Sequence, residues 1–339
     1  MTDGAPSQNI ESVIAAANAP LEGAGVTRVV GSDIPRFELY HFALSLCSQK
    51  VRTCLAEKKA SYIAQDLNVS LPLLGNYDPS YVRLRLLGRP EGALATGYTG
   101  RSAVETEGFD PAVVPTLVDR ETERVITDSA RICRYLDTHV RPEDSLIPPE
   151  HRDAVLREVA IVDGTPHVAL LYGAHPDHDF RPERLRRNMP GVHDRKIAKI
   201  EQARDMVPED AVLREAYEAK IAKEFAGKGF VNDPARMRRA VEEVLSLLSE
   251  LEERLSDGRR YLCGDTLTLA DLVWSVSLFR LKWLGMAFAW EGGHPLSNRS
   301  RPHVEAYGRM LFSRRAFRAA VIDWPGVPRT EFVSDHYDE

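Results

Sequence analysis

The segment Ser45-Leu46-Cys47-Ser48-Gln49-Lys50-Val51-Arg52 holds the residues best suited to chemistry. It follows an apolar, strand-like run from Phe37 to Phe42. It opens a stretch in which Val51, Cys54 and Leu55 share one helical face. Cys47 is therefore expected where a strand ends and a helix begins. Unpaired N–H groups and the positive end of the helix dipole favour a thiolate there, and that setting makes a cysteine reactive. Ser45 and Ser48 offer hydroxyl donors, and Lys50 and Arg52 offer positive charge. The ordinary alternative is a packed, inert cysteine, but an apolar slot rarely gathers two hydroxyls and two cations. Arg52 reads equally well as a surface residue of the helix. In a two-thiol redox motif the position three after Cys47 would be a second cysteine; here it is Lys50. Cys47 must then be reset by an external thiol or do other chemistry.

The remaining cysteines, Cys54, Cys133 and Cys263, lie in apolar runs and read as structural. Four cysteines in 339 residues make no disulfide framework, which points to a reduced, cytoplasmic protein. The net charge of −6 argues against a nucleic-acid partner. No apolar run is long enough to span a membrane, and residues 1–33 lack a secretory signal pattern.

The elements around Cys47 follow from periodicity. Strand (37–43), helix (48–58) and strand (61–67) are followed by a Pro/Gly/Tyr-rich stretch, 70–110, in which only Tyr81–Leu87 looks ordered. A connection that long is functional or inserted. Val113–Val118 and Arg124–Thr127 form a hairpin with Pro115 at its strand's start. A helix from Ser129 to His139 completes the first half. Residues 1–34, rich in Ala, Gly, Ser and Asn, read as a disordered extension. After Pro148-Pro149 strand signals nearly stop, and helices are expected at 151–172, 192–205, 209–227, 233–256, 268–289 and 302–321.

Other candidates have plain readings beside the functional ones. Asp128-Ser129 is an N-cap pair that can also bind a carboxylate. His167, His175, His178 and His193 match no compact zinc spacing and read as a solvated connector, so no metal is expected. Trp274, Trp283 and Trp290 could line an aromatic pocket, with core packing as the default.

The order strand–helix–strand, proline-bearing strand, hairpin, helix and helical domain resembles the soluble glutathione transferases. Val114-Pro115, Asp128-Ser129 and Thr266-Leu267-Thr268-Leu269-Ala270-Asp271 resemble that family's motifs. The resemblance implies an α+β thioredoxin-like N-terminal domain (35–141, with the insertion 70–110) followed by an all-α domain (150–325). It implies glutathione as co-substrate, a cis Pro115, and a Val114 backbone that pairs with the cysteinyl part of glutathione. Asp128 and Ser129 would bind the γ-glutamyl carboxylate. Ser45-Leu46-Cys47-Ser48, with Lys50 and Arg52, narrows the likeness to members that reductively dehalogenate chlorinated hydroquinones. The segments Phe37–Arg52, Asn76–Leu86, Gly108–Asp110, Thr165–Gly173 and Met189–Gly191 carry the same likeness.

That resemblance implies that Cys47 strips glutathione from an aromatic conjugate. Ser45 would donate to a thiolate, and Lys50 would assist glutathione binding. Tyr40, His41, Tyr172 and Trp283 are candidates for the aromatic pocket. Family habit implies a homodimer. The alternatives are a glutathione-dependent β-aryl etherase, a glutathionyl-hydroquinone lyase and a non-catalytic glutathione-binding protein.

Overall fold

The computed structural model describes residues 9–24, 26–102 and 107–327. A five-stranded mixed sheet has the order β1-β3-β2-β4-β5, from β1 (Thr27–Val30), β2 (Phe37–His41), β3 (Tyr62–Asp66), β4 (Thr116–Asp119) and β5 (Arg124–Thr127). Only β2 and β3 are parallel, joined through helix α2 (Leu46–Glu57). Alternation along each strand sorts side chains between two layers. Leu39, Leu117 and Ile126 pack with Val51, Cys54 and Leu55 of α2 and with Ile132 and Leu136 of α4 (Ser129–His139). Tyr40 and Val118 pack on the opposite face with Val13, Ile14 and Ala17 of α1 (Ile10–Asn18) and Tyr81 and Leu84 of α3 (Pro79–Leu87).

Helix α1 and strand β1 correct the expectation of disorder across 1–34 for residues 9–24 and 26–30; residues 1–8 and 25 lie outside the described residues. Asn9 caps α1 by accepting from Glu11 N–H at 3.1 Å. Asn18, at the far end, donates to the buried Glu38 carboxylate at 2.7 Å and accepts from Tyr40 Oη at 2.7 Å. The small and polar composition hid an apolar i, i+3, i+4, i+7 stripe from Ile10 through Ala17. In the stretch 70–110 the part expected to be ordered is α3, whose Tyr81 donates to the Val113 carbonyl at 2.7 Å. Order not expected there lies beyond it, where Ala95 N–H donates to the Phe109 carbonyl at 2.9 Å and Phe109 N–H to the Ala93 carbonyl at 3.1 Å. Residues 103–106 of that stretch lie outside the described residues.

The second half is helical: α5 (Arg152–Asp163), α6 (His167–Tyr172), α7 (Glu183–Asn188), α8 (Val192–Asp205), α9 (Ala211–Val231), α10 (Pro234–Leu255), α11 (Leu269–Trp283), α12 (Phe288–Glu291) and α13 (Pro302–Phe312), ending in turns over 315–322. Three expected helices are broken, the last, 302–321, at Ser313-Arg314 after α13. Gly164-Thr165-Pro166 separates α5 from α6, because proline lacks the N–H a continuous helix needs. Gly285, at φ +86, ends α11 where an added Cβ would lie 2.2 Å from the Phe180 carbonyl oxygen. The capping box at Thr268 and Asp271 is formed.

The α8–α9 hairpin packs on the 70–112 stretch. Ile200, Ala203, Leu213, Ala216 and Tyr217 meet Leu74, Tyr77, Val82 and Ala112 in one cluster. Beside it runs a buried charge network. Lys220 reaches Asp110 at 2.7 Å and Glu224 at 3.0 Å, and Lys223 reaches Glu107 at 2.6 Å.

Helix α2 is enclosed on both sides, by the sheet and by α11 with the chain's final turns, so even its polar residues are buried. Arg52, read as equally suited to the surface, is fully buried. It donates to the carbonyls of Ala320 (2.9 Å), Ala43 (2.9 Å) and Phe42 (3.2 Å) and lies 4.5 Å from the Trp324 ring. Arg52→Met keeps the stem but removes these donations; Phe42 O keeps the Ser45 N–H and Ala43 O keeps Gln49 Nε2, so the Ala320 carbonyl loses most. It should lower unfolding stability by about 2 kcal/mol, since a buried unpaired acceptor costs about 1–3 kcal/mol. A guanidinium-chloride midpoint equal to that of the unaltered protein would contradict this account.

Candidate active site

The strand register places the candidate residues before any side chain is considered. Tyr40 of β2 lies opposite Thr116 of β4, and Thr116 opposite Thr127 of β5. The end of β2, the start of β4 and the end of β5 therefore share one edge of the sheet. The chain leaving β2 runs into Cys47, the chain entering β4 is Val114-Pro115, and the chain leaving β5 is Asp128-Ser129. The Val114–Pro115 bond is cis.

Ser45 caps α2, its Oγ accepting from Ser48 N–H at 3.3 Å. Ser48 is buried, its Oγ accepting from Phe42 N–H at 3.3 Å. Cys47 is half-buried in the first turn. Asp128 caps α4, accepting from the N–H groups of Ala130 and Arg131, both at 3.1 Å. Asp128 holds φ at +71°, sparsely populated for a residue with a side chain.

The electrostatics differ from the expectation of a thiolate made ready by Lys50. Burial pushes the Cys47 thiol up; the Lys50 ammonium and Ser129 hydroxyl oppose this, while Asp163 and Asp128 add to it. Lys50 is buried and ion-paired with Asp163 at the end of α5. Its charge remains the largest influence favouring the thiolate, Asp163 offsets part of it, and the side chain is committed to the protein rather than presented to glutathione. Burial, followed by the Asp163 charge, raises the Asp128 carboxyl. The neighbour whose hydroxyl favours the Cys47 thiolate is Ser129, with Ser45 occupied at the helix cap.

The aromatic candidates divide. Tyr40 points away from Cys47, because residues 40 and 41 face opposite sides of the sheet. Its hydroxyl meets Asn18 and Glu38. His41 is buried beside Arg52, with its Nδ1 3.1 Å from Nη1 and its ring edge-on to Trp324 at 5.3 Å. Neither lines a pocket. Trp283 instead packs on Arg280 of α11, while the Tyr172 ring lies 3.9 Å from Lys196 Nζ and 5.2 Å from the His193 ring. The Arg280 guanidinium lies 4.4 Å from the Trp283 ring and donates to the Leu44 carbonyl, three residues before Cys47. Leu44, Gln49, Phe279, Arg280, Trp283 and Val327 line a narrow crevice too tight to admit a water molecule.

Arg280, Asp163 and His167 went unnoticed as site residues. The first two lie on helices remote in sequence from Cys47, and nothing in their local spacing marks them. His167 was read with the solvated histidines, but it is buried, as are His175 and His193. Its Nε2 lies 2.9 Å from Ser277 Oγ, and its Nδ1 has no partner. Burial, then Lys50 and Arg280, holds it well below the usual histidine range, so it is neutral. Among the described residues no three histidine, cysteine, aspartate or glutamate side chains gather as a metal site.

The chain is similar to known proteins. The glutathione S-transferase N-terminal domain family matches residues 44–139, and the glutathione S-transferase C-terminal domain family matches 234–307. The chain is 45% identical over 304 residues to a 2,5-dichlorohydroquinone reductive dechlorinase of Sphingobium indicum, covering 88% of this chain and 86% of that protein. It is 25% identical over 298 residues to a tetrachloro-p-hydroquinone reductive dehalogenase of Sphingobium chlorophenolicum, covering 86% of this chain and 99% of that protein. A β-etherase of Sphingobium has the same fold, with a TM-score of 0.52, 18% identity, and coverage of 84% of this chain and 98% of that one. With matches to both domain families and a 45% identical relative over most of its length, the chain belongs to the glutathione S-transferase family.

Proposed function

We propose that this protein is a glutathione-dependent reductive dehalogenase that removes chloride from chlorinated hydroquinones, with 2,5-dichlorohydroquinone as the first substrate to test. The observation that carries the reading is a single half-exposed cysteine at the shared sheet edge, with Cys54, Cys133 and Cys263 all buried. Such a thiol cannot be reset from within the protein, so it calls for an external thiol. The likeness to the 2,5-dichlorohydroquinone reductive dechlorinase supports the choice of substrate.

One glutathione displaces chloride from the ring, giving a glutathionyl hydroquinone, chloride and a proton. The electron-rich ring resists a thiolate, whereas its ketone tautomer accepts one. Cys47 then attacks the sulfur of the conjugate. The conjugate reacts as its ketone tautomer, in which a hydroxyl proton has moved to the sulfur-bearing carbon; an S–S bond forms, the C–S bond breaks, and its electron pair passes to the carbonyl oxygen, which takes a proton to restore the aromatic, dechlorinated hydroquinone. A second glutathione attacks the Cys47 mixed disulfide and leaves as glutathione disulfide. Two thiols are oxidised and one ring carbon is reduced, so no further redox partner is needed.

The Val114 backbone, Asp128 and Ser129 hold glutathione in this reading, and Tyr172 and Trp283 flank the ring. A homodimer and a cytoplasmic location belong to the same proposal.

The unaltered protein, supplied with glutathione and 2,5-dichlorohydroquinone, should release chloride and glutathione disulfide in equal amounts. Cys47→Ser should still release chloride but accumulate the glutathione conjugate, with glutathione disulfide reduced at least about a hundredfold. Normal disulfide formation in that variant would exclude Cys47 from the second step.

Ser129→Ala should impair glutathione-dependent chloride release more than Ser45→Ala does. Ser45→Ala should act chiefly through the lost helix cap, lowering stability by about 1 kcal/mol. A larger loss of chloride release in Ser45→Ala would return that serine to the thiolate. The pH dependence follows from the raised Cys47 thiol: thiolate is scarce at neutral pH and grows as pH rises. Alkylation of Cys47 by iodoacetamide should accelerate about tenfold per pH unit up to a midpoint above that of an ordinary cysteine. A flat rate between pH 6 and 9 would show a thiolate already formed.

A further inference from the structure

Two cations approach Cys47 from different elements, and their situations differ. Lys50, one turn along α2, is paired with Asp163. Arg280 comes from α11 and, among the described residues, has no carboxylate partner. It is nevertheless 4% exposed. Its contacts are the Leu44 carbonyl and the face of Trp283. Burying an unpaired charge is costly, and a Trp face offsets only part of that cost. Sites that maintain such a charge commonly meet a negative one during their work.

The position of Arg280 suggests which negative charge. Leu44 leads into the first turn of α2, so its carbonyl ties the guanidinium to the Cys47 side of the site. Trp283 lies against the face of the guanidinium. The titratable groups within its electrostatic reach are Cys47 on α2 and His167 and Tyr172 on α6. His167 is neutral. Burial brings the Arg280 value down to about 10, opposed by the negative charge of Cys47 as a thiolate. Arg280 remains charged at neutral pH.

We propose that Arg280 is the charge-stabilising residue of the cysteine step, placed between the Cys47 sulfur and the ring oxygen that receives the electron pair. This deepens the dehalogenase reading and rests on it. Negative charge leaves Sγ as the S–S bond forms and reappears on the ring oxygen as the C–S bond breaks. A fixed guanidinium between the two stabilises charge at both ends of that transfer, and it needs no reorganisation during the step. It also adds to the attraction toward the Cys47 thiolate that Lys50 supplies and Asp163 partly offsets.

The test compares the unaltered protein with Arg280→Met and Arg280→Lys. Two readouts are taken. One is the pH midpoint of Cys47 alkylation by iodoacetamide, located by peptide mass. The other is the ratio of glutathione disulfide to chloride released from 2,5-dichlorohydroquinone. Arg280→Met should raise the alkylation midpoint by about one unit. It should cut disulfide release by about a hundredfold, more than chloride release, so that conjugate accumulates. Arg280→Lys, which keeps the charge without the planar fork, should recover part of both. The proposal is overturned if Arg280→Met leaves the midpoint unchanged, or if chloride and disulfide fall by the same factor. It is equally overturned if Arg280→Lys is no better than Arg280→Met. Should Arg280→Met fail to fold, the Lys variant carries the comparison: a midpoint shifted upward by less than a unit, with a lowered disulfide-to-chloride ratio, supports the role, and unaltered values refute it. If the unaltered protein releases neither chloride nor glutathione disulfide, the dehalogenase reading fails, and the alkylation midpoints still decide whether Arg280 acts on Cys47.

Discussion

The buried ion pair between Lys50 and Asp163 is the interaction on which the site's arrangement turns. It joins the first turns of α2 to the end of α5, and so the sheet-bearing half of the chain to the helical half. Helix α2 carries two cations into an enclosed position, and each must find a partner there. Lys50 finds a carboxylate; Arg52 finds three carbonyls and an aromatic face. The result is a helix start held from several directions, with the Cys47 sulfur fixed in place but not electrostatically primed. Positioning and activation are thus separate tasks, given to different residues.

The sheet supplies the rest of the positioning. Because β2, β4 and β5 meet at one register, three separate turns open onto the same edge. One carries a cysteine, one a cis proline and one a helix cap with an unusual backbone. None of this depends on the surrounding helices. What the helical half adds is chemistry from a distance: Asp163 at the end of α5, His167 at the start of α6, and Arg280 near the end of α11.

Much of this was legible from the residues. The α4 boundaries, the capping box and the strand–helix junction at Cys47 all follow from local spacing, and local spacing is what periodicity records. The failures share a cause. Lys50 and Arg52 suggested activation or a solvated face because a helix beside a sheet is expected to keep one side wet; α11 and the final turns remove that side. Tyr40 and His41 looked alike in the sequence, yet the two-residue period of a strand sends them to opposite layers. Helix α1 was masked by small residues, although Asn9 and the stripe from Ile10 to Ala17 carried its signature. Arg280 had no local signal, since its meaning comes from Leu44 and Cys47, more than two hundred residues earlier.

The charge network between the 70–112 stretch and the α8–α9 hairpin carries a consequence for how such a chain can change over generations. Asp110 and Glu107 belong to one segment, while Lys220, Lys223 and Glu224 belong to the other. Neither family domain match spans the hairpin, which lies between residues 139 and 234. Loss of either segment alone would strand the other's charges and uncover its apolar half. The two segments therefore form a single heritable module: gene rearrangements that keep this protein folded must transmit both or neither, however far apart they sit along the chain.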